Sequence, residues 1–231
     1  MREDSTIREI YAHAEEEHSK ECCGVVTAAG DVVRLENVAK NPHSSFCISA
    51  QDYLKYAGGA MFAYHSHPDR PAAASEADLE WVERCRIPLM IVSWPQGDIR
   101  MIGDPCKGRA LEGRPFIYGV YDCYSLVQDY YSRHFDYTLP TVTRPRFNWW
   151  ESGELDPFME GADRSGLVDA NTPEPGDMLM FQFNGAKVTN HTGVYVGDDM
   201  LLHHRLLSLS TLSQYDETYR NATTRILRRA D

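Results

Sequence analysis

The chain has 231 residues, of which 42% are hydrophobic and 25% are charged. This is an ordinary globular composition, which argues against disorder and repeats, and the length suits one large domain or two small ones. The formal net charge of −11 disfavours nucleic acid as a partner, and basic residues cluster only at Arg225, Arg228 and Arg229.

Neither a membrane segment nor a disulfide scaffold is expected. No stretch approaches the roughly 18–20 apolar residues of a membrane span, and the opening MREDSTIREI lacks the apolar core of a signal peptide. We therefore expect folding in the compartment where the chain is made. The chain has six cysteines and no CxxC pair, which predicts reduced thiols. Five of them are expected to be mostly buried packing residues: Cys22, Cys23, Cys47, Cys85 and Cys106. Cys123 is the exception.

The first half of the chain predicts a mixed α/β domain. Apolar residues alternate between helical and strand-like spacing, and turn residues separate the segments. The predicted elements in chain order are a helix over 5–18, strands over 24–27 and 31–35, a capped helix over 49–56, a buried strand over 61–64, a helix over 75–85, and strands over 89–94 and 99–102.

A domain boundary is predicted between Gly103 and Pro115. This segment is rich in Gly, Pro and charged residues and shows no helical or strand-like hydrophobic period. We place the first domain at 1–105, a linker at 106–114 and the second domain at 115–231. A leading helix followed by an antiparallel sheet predicts an α+β second domain. Its elements are a helix over 123–133, an irregular segment over 134–175, and strands over 177–183, 192–197 and 200–205.

Side chains with metal-ligand chemistry follow the buried strand at 61–64. His65 and His67 are two residues apart in an extended segment, so their imidazoles point to the same face. Asp78, in the next helix, offers a carboxylate, and three such ligands with an open fourth position suit a catalytic zinc ion. Ser75-x-x-Asp78 is also a capping box, which needs no metal, so the residues alone allow both interpretations.

These residues resemble the JAMM (MPN+) metalloprotease family, whose pattern is a Glu in an ExCG context, then HxHP, then a Ser and an Asp. The pattern stands here as ECCG at 21–24 and HSHPDRPAAASEAD at 65–78, within residues 1–105. The resemblance implies a zinc isopeptidase-like domain with one zinc per chain. In it, His65, His67 and Asp78 bind the zinc, Glu21 is the general base, and Ser75 helps hold the oxyanion; His13, His18 and His43 are surface residues.

A second constellation begins at Cys123, the first residue of a predicted helix. The dipole and free N–H groups of a helix N-terminus favour the thiolate, as a nucleophile requires. His191, far away in sequence at the start of a predicted strand, supplies an imidazole base. The pair therefore predicts a cysteine nucleophile of the papain type.

A third residue must orient the imidazole of His191, and the following hairpin offers His203 and His204. A two-residue loop at 198–199 would bring His204 to the face of His191. A three-residue loop that includes Gly197 would bring His203 there instead. The residues alone leave both registers open.

Three motifs resemble the NlpC/P60 cysteine peptidase family: DCYSLV at 122–127, PGD at 175–177 and HTGVYVGDDMLLHH at 191–204. The resemblance covers about residues 115–205 and implies a papain-like α+β fold. Cys123 would be the nucleophile, His191 the base and His203 the third member, with Tyr118 as an additional hydrogen-bond donor. Tyr124-Ser125 replaces the usual Ser-Gly of the family, and we expect this to narrow the cleft.

A JAMM domain followed directly by an NlpC/P60 domain resembles the tail-tip assembly proteins of long-tailed bacteriophages. The resemblance implies other tail-tip proteins as partners, and a location in the host cytoplasm during assembly or in the virion tail tip. It also implies hydrolysis of peptide cross-links in peptidoglycan, during tail assembly or genome entry. The alternatives are an assembly protease that acts on a tail protein, and a structural component whose sites are vestigial.

Overall fold

The computed structural model describes residues 5–105, 108–145, 149–206 and 208–230, so the prediction for Cys106 lies outside the described residues. The chain divides into two compact units. Two short segments from the second half of the sequence, 117–120 and 143–145, belong to the first unit, where Arg144 forms an isolated bridge with Ile99. The second unit comprises 108–116, 121–142 and the described residues from 149 onwards.

The first unit is built on a five-stranded mixed sheet with the order β2-β1-β3-β4-β5. Neighbouring strands are antiparallel except β3 and β4, which are parallel and are connected through α3. This confirms the predicted α/β class, and the strand predicted over 61–64 extends to Pro68 and so includes both histidines. The elements are α1 (Ser5–Glu16), β1 (Cys23–Thr27), β2 (Val32–Leu35), α2 (Ala50–Tyr56), β3 (Ala60–Pro68), α3 (Glu76–Cys85), β4 (Leu89–Trp94) and β5 (Ile99–Ile102).

Helices cover the central strand β3, which explains why its apolar run is continuous. The helix α1 packs against β3 and β4. Ala63 of β3 and Trp81 of α3 share one apolar cluster. Because side chains alternate along a strand, His65 and His67 point to the same face as Ala63. The sheet therefore directs both imidazoles towards α3.

The second unit contains a six-stranded antiparallel sheet with the order β10-β9-β8-β7-β11-β6, and α4 packs against β8 and β9. A helix on an antiparallel sheet confirms the predicted α+β class. The elements are α4 (Cys123–Phe135), α5 (Trp149–Ser152), α6 (Pro157–Asp163), β6 (Leu167–Asp169), β7 (Met178–Phe181), β8 (His191–Gly197), β9 (Met200–His203), β10 (Thr211–Gln214), α7 (Glu217–Ala222) and β11 (Thr223–Arg229).

The prediction that residues 134–175 are irregular is wrong, because α5, α6 and β6 lie within this segment. The two helices are shorter than two turns, and the strand has fewer than four residues. Elements this short cannot show a hydrophobic period in the sequence. The helix α6 is instead set by local chemistry, with Asp156 as the N-cap and Pro157 in the first turn. Two aromatic residues of this segment are core residues, since Trp149 and Phe158 are buried and pack edge to face.

Carboxylates neutralise most of the C-terminal basic cluster. Arg225 forms ion pairs with Asp163 and Asp169. Arg228 pairs with Glu174 and Asp177. These contacts attach β11 to its surroundings and leave little unbalanced positive charge at this end of the unit. None of the described helices is long and apolar enough to cross a membrane.

Gly24 of β1 lies where the first sheet leaves no room for a side chain. A Cβ atom on Gly24 would lie 2.4 Å from the carbonyl oxygen of Val33 and 2.5 Å from the ring of Tyr64. We expect Gly24→Ala to lose about 1–3 kcal/mol of stability, because the backbone or a buried tyrosine must move. Denaturant unfolding measures this, with Gly58→Ala as the control, since a Cβ there meets nothing within 4 Å. Equal stabilities of the two variants would contradict the close approach.

Candidate active sites

The first cluster of buried polar side chains surrounds the end of β3. His65 and His67 are 1% and 3% exposed, and Asp78 and Glu21 are buried beside them. Atoms of Glu21, His65 and His67 that can bind a metal all lie within 4.8 Å of one another. The structure therefore brings Glu21 together with the two proposed histidine ligands, whereas Asp78 lies outside this group and approaches the imidazoles at 3.2 Å from His65 Nε2 and 3.8 Å from His67 Nε2.

Asp78 reaches the imidazoles because Ser75 caps α3. The Asp78 Oδ2 atom accepts hydrogen bonds from the backbone N–H (2.8 Å) and the hydroxyl (2.7 Å) of Ser75. Ser75 Oγ in turn accepts from the backbone N–H of Asp78, which completes a capping box. The other oxygen, Oδ1, lies 3.2 Å from His65 Nε2. The capping and the functional interpretations are thus compatible, because the aspartate that completes the capping box also faces His65.

Glu21 lies just before β1 and contacts the opposite side of the same imidazole. Its backbone N–H donates to the carbonyl of Pro42, and its Oε2 is 3.1 Å from His65 Nδ1. Its Oε1 accepts a hydrogen bond from the guanidinium of Arg70. Sequence reasoning missed Arg70, since nothing distinguishes it from a solvated charge in the loop that follows the histidines.

The donor pattern leaves both Nε2 atoms free for a cation. His67 Nδ1 is 2.9 Å from the carbonyl oxygen of Pro71, and His65 Nδ1 faces the Glu21 carboxylate, so each Nδ1 must carry the proton. His65 Nε2 is buried and has no hydrogen-bond partner in the described part of the chain, because its approach to Asp78 Oδ1 lacks hydrogen-bonding geometry. A lone pair facing a carboxylate repels it unless a proton or metal ion lies between. Two such nitrogens and a carboxylate suit zinc.

The charge states in this cluster follow from burial and pairing. Burial lowers the pKa of His65, but the adjacent carboxylates of Asp78 and Glu21 outweigh it and raise the pKa overall. Burial opposes ionisation of Asp78, but His65 and Ser75 hold the pKa of this carboxyl well below its usual range. Burial, with the nearby His65, lowers the pKa of His67. Asp78 is therefore ionised and His67 neutral at neutral pH.

Aromatic and sulfur-containing residues enclose this cluster. Phe46 stacks on His65 with ring centroids 4.3 Å apart, and Trp81 contacts Phe46. Burial raises the pKa of Cys22 to about 11 and that of Cys23 to about 12, so both thiols are protonated and unreactive. The described cysteines are all free, which matches their predicted reduced state.

The prediction that His13 is a surface residue is wrong. Its side chain is buried, and its Nδ1 lies 2.8 Å from the hydroxyl of Tyr64. The helix α1 packs against β3, and the apolar spacing of α1 places His13 on the packed side. His18 and His43 are exposed, as predicted.

The second site begins where α4 begins. Asp122 is the N-cap: its carboxylate accepts from the N–H of Ser125, and Ser125 Oγ accepts from the N–H of Asp122. Cys123 is therefore the first residue of a capped helix, and its side chain is 5% exposed. Because α4 packs against β8, the helix that carries Cys123 lies on the strand that begins with His191.

Tyr124, which replaces the small serine of the family pattern, packs inside the second unit. Its side chain is fully buried, its ring stacks on Phe158, and its hydroxyl donates to the carbonyl of Pro140. Residues next to each other on a helix point in directions about 100° apart, so the residue after Cys123 can face the core. Ser125 belongs to the capping box.

The structure places His203 beside His191, with 3.1 Å between Nδ1 of His203 and Nε2 of His191. The loop has two residues, Asp198 and Asp199, both with positive φ. A regular hairpin with this loop would have brought His204 to His191. A bulge between Tyr195 and Gly197 shifts the register by one residue, so that Gly193 pairs with His203.

The PGD motif lies beside this bulge, on the other side of β8 from β9. The N–H of Tyr195 donates to the carbonyl of Asp177, and the carbonyl of Tyr195 accepts from the N–H of Gly176. Both backbone groups of Tyr195 are therefore bound to the motif. Gly197 packs against Pro175, where an added Cβ would lie 3.3 Å from the proline ring.

His204 and Tyr118 have other partners. His204 is fully buried on the opposite face of β9, where its Nε2 contacts the carbonyl of Ser208 at 3.2 Å and its ring packs on Phe116. In the first unit, the hydroxyl of Tyr118 donates to the carbonyl of Pro145 at 2.9 Å.

The imidazoles of the second site are neutral at neutral pH. Burial, together with His203 and Arg205, holds the pKa of His191 well below its usual range. Burial lowers the pKa of His203 to about 4, and that of His204 to about 4 as well. A neutral His191 is the form that can accept a proton from a thiol.

Comparison with known families agrees with the two units. Residues 113–228 match the NlpC/P60 family. Residues 3–101 match a family described as prokaryotic homologs of the JAB domain.

Two phage proteins are similar to the chain over most of its length. The tail tip assembly protein K of Escherichia phage N15 is 34% identical over 233 residues, which cover 98% of this chain and 95% of that protein. The tail tip assembly protein K of Escherichia phage lambda is 32% identical over 184 residues, covering 76% and 86%. Among solved structures, an NlpC/P60 family protein from Bacillus cereus is 16% identical with a TM-score of 0.35, and the match covers 96% of this chain and 66% of that one.

The neutral histidines predict how the stability of the second unit depends on pH. In the unfolded chain a histidine has a pKa near 6.5, whereas burial lowers the pKa of His203 and His204 to about 4 in the folded state. Between these values the unfolded state binds more protons, so stability should fall as the pH falls from about 6.5 to 4. Each histidine adds up to about 1.4 kcal/mol per pH unit to this slope.

Urea unfolding at about pH 7, 5.5 and 4.5 measures the slope. His203→Asn should make it shallower, because one titrating group is removed. His134→Ala is the control, since His134 is exposed on α4. The same slope in His203→Asn as in the unmodified chain would contradict a neutral buried His203.

Proposed function

Because the chain belongs to the tail tip assembly protein K family and to the NlpC/P60 family, we propose that it is a phage tail-tip protein with two hydrolase sites. The proposed substrate is the peptide cross-links of peptidoglycan, cut during tail assembly or genome entry. Its partners would be other tail-tip proteins, first in the host cytoplasm and then in the virion tail tip. The names of the relatives support the tail-tip role, and the chemistry of the two sites supports the substrate.

The main support for the proposed cysteine endopeptidase is the contact between His191 and His203. This pair lies on the sheet against which α4, the helix that begins with Cys123, is packed. In the proposed reaction, Nδ1 of His191 takes the thiol proton and Sγ of Cys123 attacks the carbonyl carbon of the substrate. The amide C–N bond breaks as His191 returns the proton to the leaving amine. Water then hydrolyses the thioester, again with His191 as the base.

The proposed zinc isopeptidase site uses His65, His67 and Asp78 as ligands. When bound, zinc supplies a Lewis acid that activates water and polarises the scissile carbonyl. Glu21 takes the proton of the attacking water and passes it to the leaving amine. Ser75 would stabilise the oxyanion by turning its hydroxyl away from Asp78, to which it donates in this structure. Arg70 holds the Glu21 carboxylate in position.

Peptidoglycan offers a substrate that suits both sites. Its cross-links are amide bonds in short peptides, and many join a side-chain amine to a carboxyl group, as an isopeptide bond does. A thiol nucleophile and a zinc site are two chemically independent ways to cut such amides. The two sites can therefore act on the same polymer.

The first test of this function is digestion of purified peptidoglycan. We expect the intact chain to release soluble peptides, and Cys123→Ala to lose the part of the release that depends on the thiol, because no other group there can form the acyl intermediate. His65→Ala/His67→Ala should lose the part that a chelator removes. Mass spectrometry of the released peptides identifies the bond that each variant leaves uncut.

Leu54→Ala is the matched control for handling and folding, because Leu54 is 81% exposed on α2. If neither site variant differs from this control, the peptidoglycan proposal is wrong. Cleavage of a co-purified tail protein without peptidoglycan release would favour the assembly protease. No cleavage of either kind would favour a structural component with vestigial sites.

The second test is metal content. We expect about one zinc per chain in protein prepared without chelator, and none in His65→Ala/His67→Ala, because the two imidazoles supply most of the ligands. Glu21→Gln should keep the metal and lose turnover. Loss of zinc in Glu21→Gln would instead place Glu21 among the ligands, which its position within 4.8 Å of both histidines allows.

A comparison of two serine N-caps distinguishes a role of Ser75 in metal binding from its role in capping α3. Ser49 caps α2 as Ser75 caps α3, and in both cases the hydroxyl also bonds to an aspartate at the third helical position. Each serine-to-alanine change should cost about 1 kcal/mol of stability. Only Ser75→Ala should weaken zinc binding, because only Asp78 faces the imidazoles. Equal zinc affinity in the two variants would argue against a role of the Ser75 hydroxyl in positioning the ligand.

A further inference from the structure

The far side of His203 has a partner that the sequence motifs do not include. While Nδ1 of His203 faces His191, its Nε2 lies 2.8 Å from the hydroxyl oxygen of Ser213. Ser213 belongs to β10, in which Thr211 pairs with His203, so Ser213 points to the same face of the sheet as this histidine. The hydroxyl of Tyr219 is further away, at 3.5 Å from the same nitrogen.

These contacts connect three side chains in a row. Nε2 of His191 faces Nδ1 of His203, and Nε2 of His203 faces Oγ of Ser213, so a change at Nδ1 of His191 can be transmitted through both rings to Ser213. Burial lowers the pKa of His203 to about 4, so His203 is neutral at neutral pH and carries a single ring proton. The position of this proton therefore determines the direction of every hydrogen bond in this row.

The reactive state allows only one arrangement. Once His191 has taken the thiol proton, both of its ring nitrogens carry hydrogen, so its Nε2–H must donate to Nδ1 of His203. The single proton of His203 is then on Nε2, and the hydroxyl oxygen of Ser213 must accept it. If Ser213 donated instead, Nδ1 of His203 would carry a proton that faces the Nε2–H of His191, and the ion pair would be destabilised.

We propose that Ser213 is a positioning residue of the second site, whose hydroxyl oxygen accepts the Nε2–H of His203 and so selects the tautomers that make His191 a base. Ser213 touches neither the thiol nor the substrate and acts through His203. The inference rests on the proposed cysteine peptidase function, and it assigns a role to β10, a strand outside the three sequence motifs of the site.

The first measurement is the tautomer of His203, from the ring nitrogen and carbon shifts in long-range ¹H–¹⁵N spectra. We expect the Nε2–H form in the intact chain and in Ser213→Thr, which keeps the hydroxyl. In Ser213→Ala we expect the Nδ1–H form or a mixture. Thr211→Ala is the matched control, because its hydroxyl lies on the same strand and is exposed. This readout does not depend on activity.

The second measurement is the rate at which limiting iodoacetamide modifies Cys123, followed by mass spectrometry of the peptides. A Cys47→Ser background removes the rival thiol that is exposed among the described cysteines. Ser213→Ala should slow modification about 3- to 10-fold, the effect of losing one hydrogen bond, and Ser213→Thr should restore the rate. His191→Ala should slow it further, because it removes the base itself.

The two measurements separate the failure of this inference from the failure of the proposed function. If iodoacetamide modifies Cys123 no faster than Cys85, and His191→Ala does not change the rate at Cys123, the cysteine peptidase proposal fails. The tautomer of His203 still tests the role of Ser213 in that case. If His191→Ala and His203→Ala slow the reaction but Ser213→Ala changes neither the rate nor the tautomer, the role of Ser213 is refuted. An effect of Tyr219→Phe without one of Ser213→Ala would also refute it, and would identify Tyr219 as the acceptor.

Discussion

A buried imidazole needs a partner for its ring nitrogens, because each unpaired polar atom away from water costs about 1–3 kcal/mol. In the first unit this requirement is met for Nδ1 of His65, at the covered end of the central strand, but not for its Nε2, which has no hydrogen-bond partner among the described residues. Glu21 contacts one ring nitrogen and Asp78 the other. These partners come from the segment before β1 and from α3, so the sheet and the crossover helix must both form before the cluster is complete.

In the second unit the same requirement connects three neighbouring strands. His191 begins β8, His203 ends β9, and Ser213 lies in β10, and their polar atoms meet in this order. Each contact depends on the register of the strand pair beneath it, because a shift of one residue moves a side chain to the other face. The bulge in β8 is therefore as important to the site as the histidines themselves.

The two units use histidine for different chemistry under similar physical conditions. Burial lowers the pKa of His67 and of His191, which keeps each imidazole neutral at neutral pH. A neutral imidazole can donate its lone pair either to a metal ion or to a proton. The neighbours decide which: a carboxylate beside Nε2 of His67 favours a cation, whereas a second neutral imidazole beside His191 favours proton transfer. Buried polar networks of this kind are rigid when all members are paired, which suits sites that must hold a fixed geometry.

Local patterns in the sequence determined most elements and the identity of the candidate site residues. The alternation along β3, the cap at Ser75 and the N-terminal position of Cys123 depend on neighbours a few residues away, so the sequence carries them directly. Residues 134–175 carry no such local signal, because their elements are too short to show a hydrophobic period.

Only the tertiary structure decided which side chains meet. Arg70 and Ser213 reach their sites through loop geometry and strand register, and neither has a local signal in the sequence. Family resemblance favours His203 over His204, but the physical reason is a bulge in β8 that shifts the pairing with β9 by one residue. Contacts that depend on such long-range hydrogen bonds cannot be derived from local sequence, since the energy that fixes them comes from residues far along the chain.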